Sequence, residues 1–265
     1  WSGRADRRAS TSAASNRRVG LSDKDYKPST VHSIISMAKN QLVGADAFAV
    51  SNGGQSGLKG AKLKAVSQIY AAYQARCRQA NAMDFDDLLV NTFRLFNENA
   101  DIRNKYAERF QYILVDEYQD TNFVQVAIVK LLTAKHQRIC VVGDDYQSIY
   151  SFRGASIDNI LDYQKKFDNV QVFKLERNYR STRKIVEAAN SLMKHNARQI
   201  PKDVYSEESE GAKISYRPCY SDKEEAMVVV KEIKKLKRSQ SFGYDGFAIL
   251  YRTNAQSRSF EDELR

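Results

Sequence analysis

In the first part of the chain, apolar residues recur at the three- and four-residue intervals of a single helix face. Val31, Ile34, Ile35, Ala38 and Leu42 follow Ser29-Thr30, whose hydroxyls suit an N-cap, and Gly44 ends the segment. Leu63, Val66, Ile69, Tyr70 and Tyr73 predict the buried face of a long helix over residues 61–80. Phe85, Leu88, Leu89 and Phe93 predict the buried stripe of another over 84–97. Between the first two lies the glycine-rich stretch 51–60, which reads as a flexible loop. Past residue 110 the texture changes to short apolar runs at 112–115, 138–142 and 170–175, separated by helical patterns at 123–134 and 156–167. A second set follows, with helices at 182–195 and 222–238, strands at 213–217 and 247–251, and a last helix from 254. Strands alternating with amphipathic helices predict an α/β architecture, parallel sheets with helices on both faces, preceded by a helical region.

Composition narrows the class. At 265 residues, with 42% hydrophobic and 28% charged residues, the chain has material for one large or two modest folded domains and is not a disordered polymer. No run of about eighteen apolar residues offers a membrane span. Lys and Arg number 42 against 32 Asp and Glu, a balance that favours a polyanionic partner such as nucleic acid and is shared by basic enzymes of other kinds. Residues 1–22, rich in Arg, Ser and Ala without an apolar period, read as a disordered or non-native tail. Cys77, Cys140 and Cys219 are too dispersed for a disulfide framework or a zinc site, and His32, His136 and His195 are equally isolated, so a reducing, cytoplasmic setting is expected.

Three segments carry chemistry. Ile113-Leu-Val-Asp116-Glu117-Tyr-Gln-Asp-Thr-Asn122 is an apolar strand ending in paired carboxylates, which puts Asp116 at the carboxyl edge of a sheet. There Asp116 can hold Mg²⁺ and Glu117 can polarise a water for attack on a terminal phosphate; a strand running into a solvated acidic turn shares the pattern. Val142-Gly-Asp-Asp-Tyr-Gln147-Ser-Ile-Tyr150-Ser-Phe152-Arg153-Gly-Ala155 is a strand breaking into a polar loop. Gln147 can bridge a γ-phosphate and a water, and Tyr150 and Phe152 can present two rings to unpaired bases or fold the loop over a core. Leu175-Glu-Arg-Asn-Tyr179-Arg180-Ser-Thr182 places an arginine beside a tyrosine, a pair able to meet phosphate and base.

In this order, at successive strand ends, the three segments resemble motifs II, III and IV of the superfamily 1 DNA helicases of the UvrD/PcrA/Rep type. Met83-Asp-Phe-Asp-Asp-Leu-Leu89 resembles the helix by which those proteins return from their 1B insert, and Phe247-Ala-Ile-Leu-Tyr-Arg-Thr-Asn254 a strand of their second motor domain. The resemblance covers about residues 23–265. It implies RecA-like sheets with a helical insert: 23–82 as the 1B-like insert, 83–175 as the C-terminal part of motor domain 1A, and 176–265 as the N-terminal part of 2A. It implies ATP and Mg²⁺ as cofactors, with Asp116 on the metal, Glu117 activating water and Gln147 sensing the γ-phosphate. Arg153 then belongs to the nucleotide-to-DNA linkage, Tyr179 stacks on adenine, and Arg180 is an arginine finger. Tyr150 and Phe152 contact DNA bases; many relatives carry Trp where Phe152 stands, and an acidic residue where Tyr146 stands. The implied activity is ATP-dependent 3′ to 5′ translocation on single-stranded DNA and at single-strand/duplex junctions, with repair or replication proteins as partners in a bacterial-type cytoplasm.

One part of such a motor is missing. A Gly-x-x-x-x-Gly-Lys-Ser/Thr loop, which holds the β- and γ-phosphates, does not occur, and the cluster from Gly53 to Gly60 lacks its ending. The resemblance puts motifs I and Ia before Trp1 and motifs V and VI after Arg265. The expectation is therefore a central fragment, incomplete at both ends, that lacks turnover and, with strand edges unpaired, folds poorly or associates. A non-enzymatic single-strand-binding remnant and the motor part of a RecB/AddA-type helicase-nuclease are the competing readings.

Overall fold

The computed structural model describes residues 15–16, 18–51, 56–240 and 242–265, the side chains of Arg153 and Gln240 excepted. The chain divides into two compact units, one running to Leu175 and including Leu192–Asp203, the other comprising Glu176–Ser191 and Val204–Arg265.

The first unit begins with helices whose apolar faces close on one another. These are α1 (Pro28–Asn40), α2 (Ala45–Val50) and α3 (Gly60–Gln79). Pro28 opens α1, where its missing N–H costs nothing. Val31, Ile35 and Ala38 of α1 meet Phe48 of α2 and Val66, Ile69, Tyr70 and Tyr73 of α3, with Phe48 edge-on to Tyr70 at 5.9 Å. Two features depart from expectation. The part of the 1–22 segment that is described is packed: Val19 and Leu21 lie against this core, and the buried Asn16 donates to Asp23 Oδ1 and the Tyr26 carbonyl. The stretch 45–50, not foreseen as a helix, is one because Ala45 and Phe48 cap the core. Part of the 51–60 loop lies outside the described residues.

Next, α4 (Phe85–Glu98) is capped by Asp84, whose carboxylate accepts from Asp87 N while the Asp87 side chain accepts from Asp84 N. Its buried face is turned from the one expected: Val90 and Phe96 are buried, whereas Phe85 and Leu88 are exposed. Lys39 of α1 causes the turn by drawing Asp84 and Asp87 inward, each at 2.7 Å. The short helix α5 (Ala100–Arg109), also unforeseen, follows.

Strand β1 (Ile113–Val115) pairs in parallel with β2 (Ile139–Val141), Ile113 facing Ile139 and Val115 facing Val141. Between them runs α6 (Phe123–Thr133), whose cap is the reciprocal Asn122–Gln125 pair. The expected single helix over 156–167 is two short turns, α7 (Asp158–Leu161) and α8 (Tyr163–Lys166); the break at Asp162 accompanies Tyr163 standing edge-on to the buried Tyr118 at 5.5 Å. Residues 170–175 form no ladder, so the sheet has two strands among the described residues.

In the second unit, α9 (Arg183–Met193, its last two residues counted with the first unit) opens beside Lys184–Glu210 ion pairing, and α10 (Asp222–Gln240) packs on α11 (Ser257–Leu264), with Ala226, Val230 and Phe260 buried. The expected strands 213–217 and 247–251 carry no ladder here; backbone pairing reduces to a bridge between Arg177 and Tyr205. Apolar patterning identifies a segment suited to a sheet but supplies no partner for its N–H and C=O groups. Among the described residues no helix is long and apolar enough to cross a membrane.

Candidate active site at the ends of two parallel strands

β1 ends at Val115, and Asp116 and Glu117 follow it into solvent. Glu117 adopts the left-handed conformation (φ 49°, ψ 44°), a strain of roughly 1–3 kcal/mol for a side-chain-bearing residue. The surroundings enforce it: Asp116 Oδ1 accepts from Glu117 N at 2.9 Å, and Tyr118 N donates to the Val142 carbonyl at 2.9 Å. The turn delivers the two carboxylates on either side of a reversal rather than as strand neighbours facing opposite ways.

A residue to which sequence reasoning assigned no role joins the two strand ends. Gln119 is 1% exposed; its Nε2 donates to Glu117 Oε2 at 2.8 Å and its Oε1 accepts from Asp144 N at 3.0 Å. Its amide fits because residue 143 is glycine: a Cβ there would stand 2.6 Å from Gln119 Oε1 and 2.9 Å from Ile160 Cδ1. Asp144 continues the chain of contacts, its Oδ2 accepting from Gln147 Nε2 at 2.8 Å and its Oδ1 from Tyr146 N at 3.0 Å. Glu117, Gln119, Asp144 and Gln147 therefore form one hydrogen-bonded line from β1 to the loop after β2. Burial alone would raise the Asp144 carboxyl, but hydrogen bonds from Lys202 and Gln147 outweigh it and hold it below the usual carboxylate range.

Asp120 is held differently. Its Oδ1 is buried without a hydrogen-bond partner, and burial together with the neighbouring Glu117 charge pushes its carboxyl up. Asp116, by contrast, presents an exposed carboxylate at the strand end, a hard oxygen donor of the kind a magnesium ion or its waters satisfy. Among the described residues no cluster of three or more His, Cys, Asp or Glu side chains could hold a metal.

The loop after Gln147 carries the aromatic pair. Tyr150 and Phe152 have ring centroids 5.9 Å apart, tilted by 42°, with Phe152 65% exposed. The Arg153 side chain lies outside the described residues. The helix cap after the acidic turn is tied to the helical region, since Asn122 Nδ2 donates to Asn40 Oδ1 at 2.8 Å and Asn40 Nδ2 to Asp86 Oδ1 at 3.3 Å.

Tyr179 and Arg180 belong to the second unit. Asn178 shapes their turn by accepting from the N–H groups of Arg180 and Ser181 through Oδ1, at 2.9 and 2.8 Å. Tyr179 is 72% exposed, and the Arg177 guanidinium lies 4.6 Å from its ring centroid, held in turn by Glu207. Arg180 is exposed.

Residues 5–168 match the UvrD/REP helicase N-terminal domain and residues 173–265 the UvrD-like helicase C-terminal domain. The chain is 39% identical over 246 residues to the ATP-dependent DNA helicase PcrA of Leuconostoc citreum, covering 93% of this chain and 32% of the relative. It is 42% identical over 244 residues to PcrA of Bacillus subtilis, covering 92% and 32%, and 41% identical over 247 residues to PcrA of Staphylococcus aureus, covering 93% and 33%. The chain thus spans about a third of the length of the curated relatives it matches. An acidic pair at the end of one parallel strand, a glutamine loop at the end of the next and matches over nearly all residues lead to one assignment: the chain belongs to the UvrD/REP helicase family.

Proposed function

We propose that this chain supplies the water-activating and DNA-gripping middle of an ATP-dependent DNA helicase that moves 3′ to 5′ along single strands. In this reading the two-stranded sheet is part of a RecA-like sheet, with 23–82 the insert, 83–175 and 176–265 portions of two motor domains, and single-strand/duplex junctions in a bacterial-type cytoplasm the working substrate. The observation that carries it is the line from Glu117 through Gln119 and Asp144 to Gln147, because it joins a carboxylate at a strand end to the loop displaying Tyr150 and Phe152.

Glu117 accepts a hydrogen bond from the attacking water and orients it toward the terminal phosphate, while Gln119 fixes the carboxylate that does so. Gln147, held by Asp144, reads whether that phosphate is present, and its loop passes the change to the rings stacked on bases. Tyr179, backed by Arg177, offers its other face to adenine, and Arg180 places a cation where charge develops in transfer. Asp116 would hold magnesium, which when bound neutralises phosphate charge.

The test is binding of a single-stranded oligonucleotide by anisotropy, together with single-strand-stimulated phosphate release from ATP. Affinity that falls with salt, and falls about tenfold in Tyr150→Ala/Phe152→Ala, supports the reading; unchanged affinity in that variant overturns the gripping role. The sequence contains no P-loop, which favours a second reading in which the chain binds single strands without hydrolysis. Phosphate release that disappears in Glu117→Gln excludes that second reading.

A further inference from the structure

We infer that Lys202 is a positioning residue that locks the Gln147–Phe152 loop into its DNA-gripping form, through ion pairs with Asp144 and Asp145 rather than through any contact with DNA. The inference rests on the single-strand reading of Tyr150 and Phe152 above.

Lys202 lies in the segment Leu192–Asp203, which belongs to the same compact unit as the loop although about fifty residues separate them in sequence. Its Nζ stands 2.6 Å from Asp144 Oδ1 and 2.5 Å from Asp145 Oδ1, and 3.8 Å from the Tyr146 ring centroid. The Lys202 side chain is only 14% exposed and that of Asp145 2%. Asp145 is held from its other oxygen by Ile200 N at 2.8 Å, and Lys174 Nζ donates to the Pro201 carbonyl at 2.5 Å, so the lysine is delivered by an anchored backbone. One ammonium group thereby fixes both carboxylates at the root of the loop, and one of those carboxylates fixes Gln147.

The electrostatics argue against a phosphate contact. Two carboxylates around one ammonium give the cluster a net negative charge, and a largely buried ammonium with both partners in place has little to offer a phosphate. Its consequence for DNA is then geometric: releasing the loop lets Tyr150 and Phe152 lose the fixed mutual placement in which they are presented to bases.

The experiment measures single-strand affinity by anisotropy across a salt series, and base stacking by the fluorescence of an oligonucleotide carrying 2-aminopurine. Lys202→Met is expected to weaken binding about tenfold and to remove the 2-aminopurine change, with the salt slope unchanged. Lys202→Arg, which keeps the charge and can pair with both carboxylates, restores most of both. Asp144→Asn is expected to weaken stacking as well, although it removes a negative charge facing a polyanion. Should Lys202→Met instead reduce the slope by about 0.7 while Asp144→Asn tightens binding, Lys202 is a phosphate contact and the inference is overturned. Wild-type affinity and wild-type stacking signal in Lys202→Met overturn it equally. If Lys202→Met loses cooperative thermal unfolding, the near-isosteric Asp144→Asn decides between the same two outcomes. A loss in Tyr150→Ala/Phe152→Ala without one in Lys202→Met sinks this inference alone, whereas no loss in the double variant removes the single-strand reading and the inference with it.

Discussion

Around α1, α2 and α3, apolar side chains are almost wholly removed from water, with Ile69 at 0% exposed and Tyr70 at 1%; along the strand-like segments Leu114 is 77% exposed and Leu250 93%. Both regions are rich in aliphatic residues, so hydrophobicity does not separate them. What differs is where the backbone bonds go. A helix satisfies its N–H and C=O groups internally and needs only a neighbour for one face, whereas a strand needs partners along both edges and cover on both faces. The helical region closes its core from residues within one stretch of chain. The sheet region holds its chemistry by polar links instead, through Gln119 and Lys202, because apolar burial around β1 and β2 is confined to a small cluster about Tyr118, Val126 and Tyr163.

If stability resides in the helical region, its buried polar anchor is where the largest effect lies. Lys39 is 2% exposed and pairs with Asp84 and Asp87, and Tyr73 Oη donates to Asp84 Oδ2 at 2.9 Å. Lys39→Met leaves two inward carboxylates without a cation, which costs about 3–5 kcal/mol in urea unfolding followed by circular dichroism. The pH profile sharpens the assignment. Burial raises the Asp84 carboxyl, but Lys39 outweighs it and the net shift is downward, so its stabilisation is complete above the ordinary carboxylate value and is lost as pH falls through the lower folded one. Asp86 has the opposite sign: burial leads its upward shift, so its cost at neutral pH is relieved as pH falls. Lys39→Met is therefore expected to remove the acid-labile component; an acid transition identical to wild type would reject this account of the anchor.

The polar line of the site should be the next most sensitive place. Gly143→Ala sets a methyl group against Gln119 Oε1 and Ile160, a clash costing about 1–3 kcal/mol if neither yields. Gln119→Ala instead removes the amide that satisfies both Glu117 Oε2 and Asp144 N, for about 1–3 kcal/mol. The two routes break the same link, so the double variant should cost less than the sum of the singles. Full additivity would mean that Gly143 and Gln119 act on separate parts of the fold.

Much of the helical architecture was legible because period is local. The apolar face of α1 and the aromatic face of α3 rest on residues within a few positions of one another, but the ends of α1 were misread: Lys27 and Pro28 open it, so Ser29-Thr30 lie inside the helix without capping it, and it stops at Asn40, Gly44 standing instead before α2. The rotation of α4 was not legible, since it depends on Lys39, which reaches Asp84 across forty-five positions. The acidic pair, Gln147 and the two rings were legible as a series of strand-end signatures, but Gln119 was visible only as a letter inside a motif. Lys202 offered no signal at all, because an isolated lysine in a polar stretch resembles any solvated one. Strands 170–175, 213–217 and 247–251 were read from short apolar runs set between helical patterns, which report what a segment can bury and not whether a ladder partner is beside it.

The smallest effect belongs at the exposed end of the comparison. Leu250 gives up almost none of its surface on folding, so Leu250→Asn should change the unfolding free energy by no more than about 0.5 kcal/mol. Its effect on association should be larger than its effect on stability, because an apolar side chain in a segment that forms no ladder among the described residues is a contact that a second molecule can use. Sedimentation across a concentration series reads this directly, and the variant is expected to shift the distribution toward monomer while its melting temperature stays at the wild-type value. A fall in melting temperature comparable to that of Gly143→Ala would mean that the 247–251 segment is packed in solution, and the contrast between internally satisfied helices and unpartnered strands would no longer hold for the second unit.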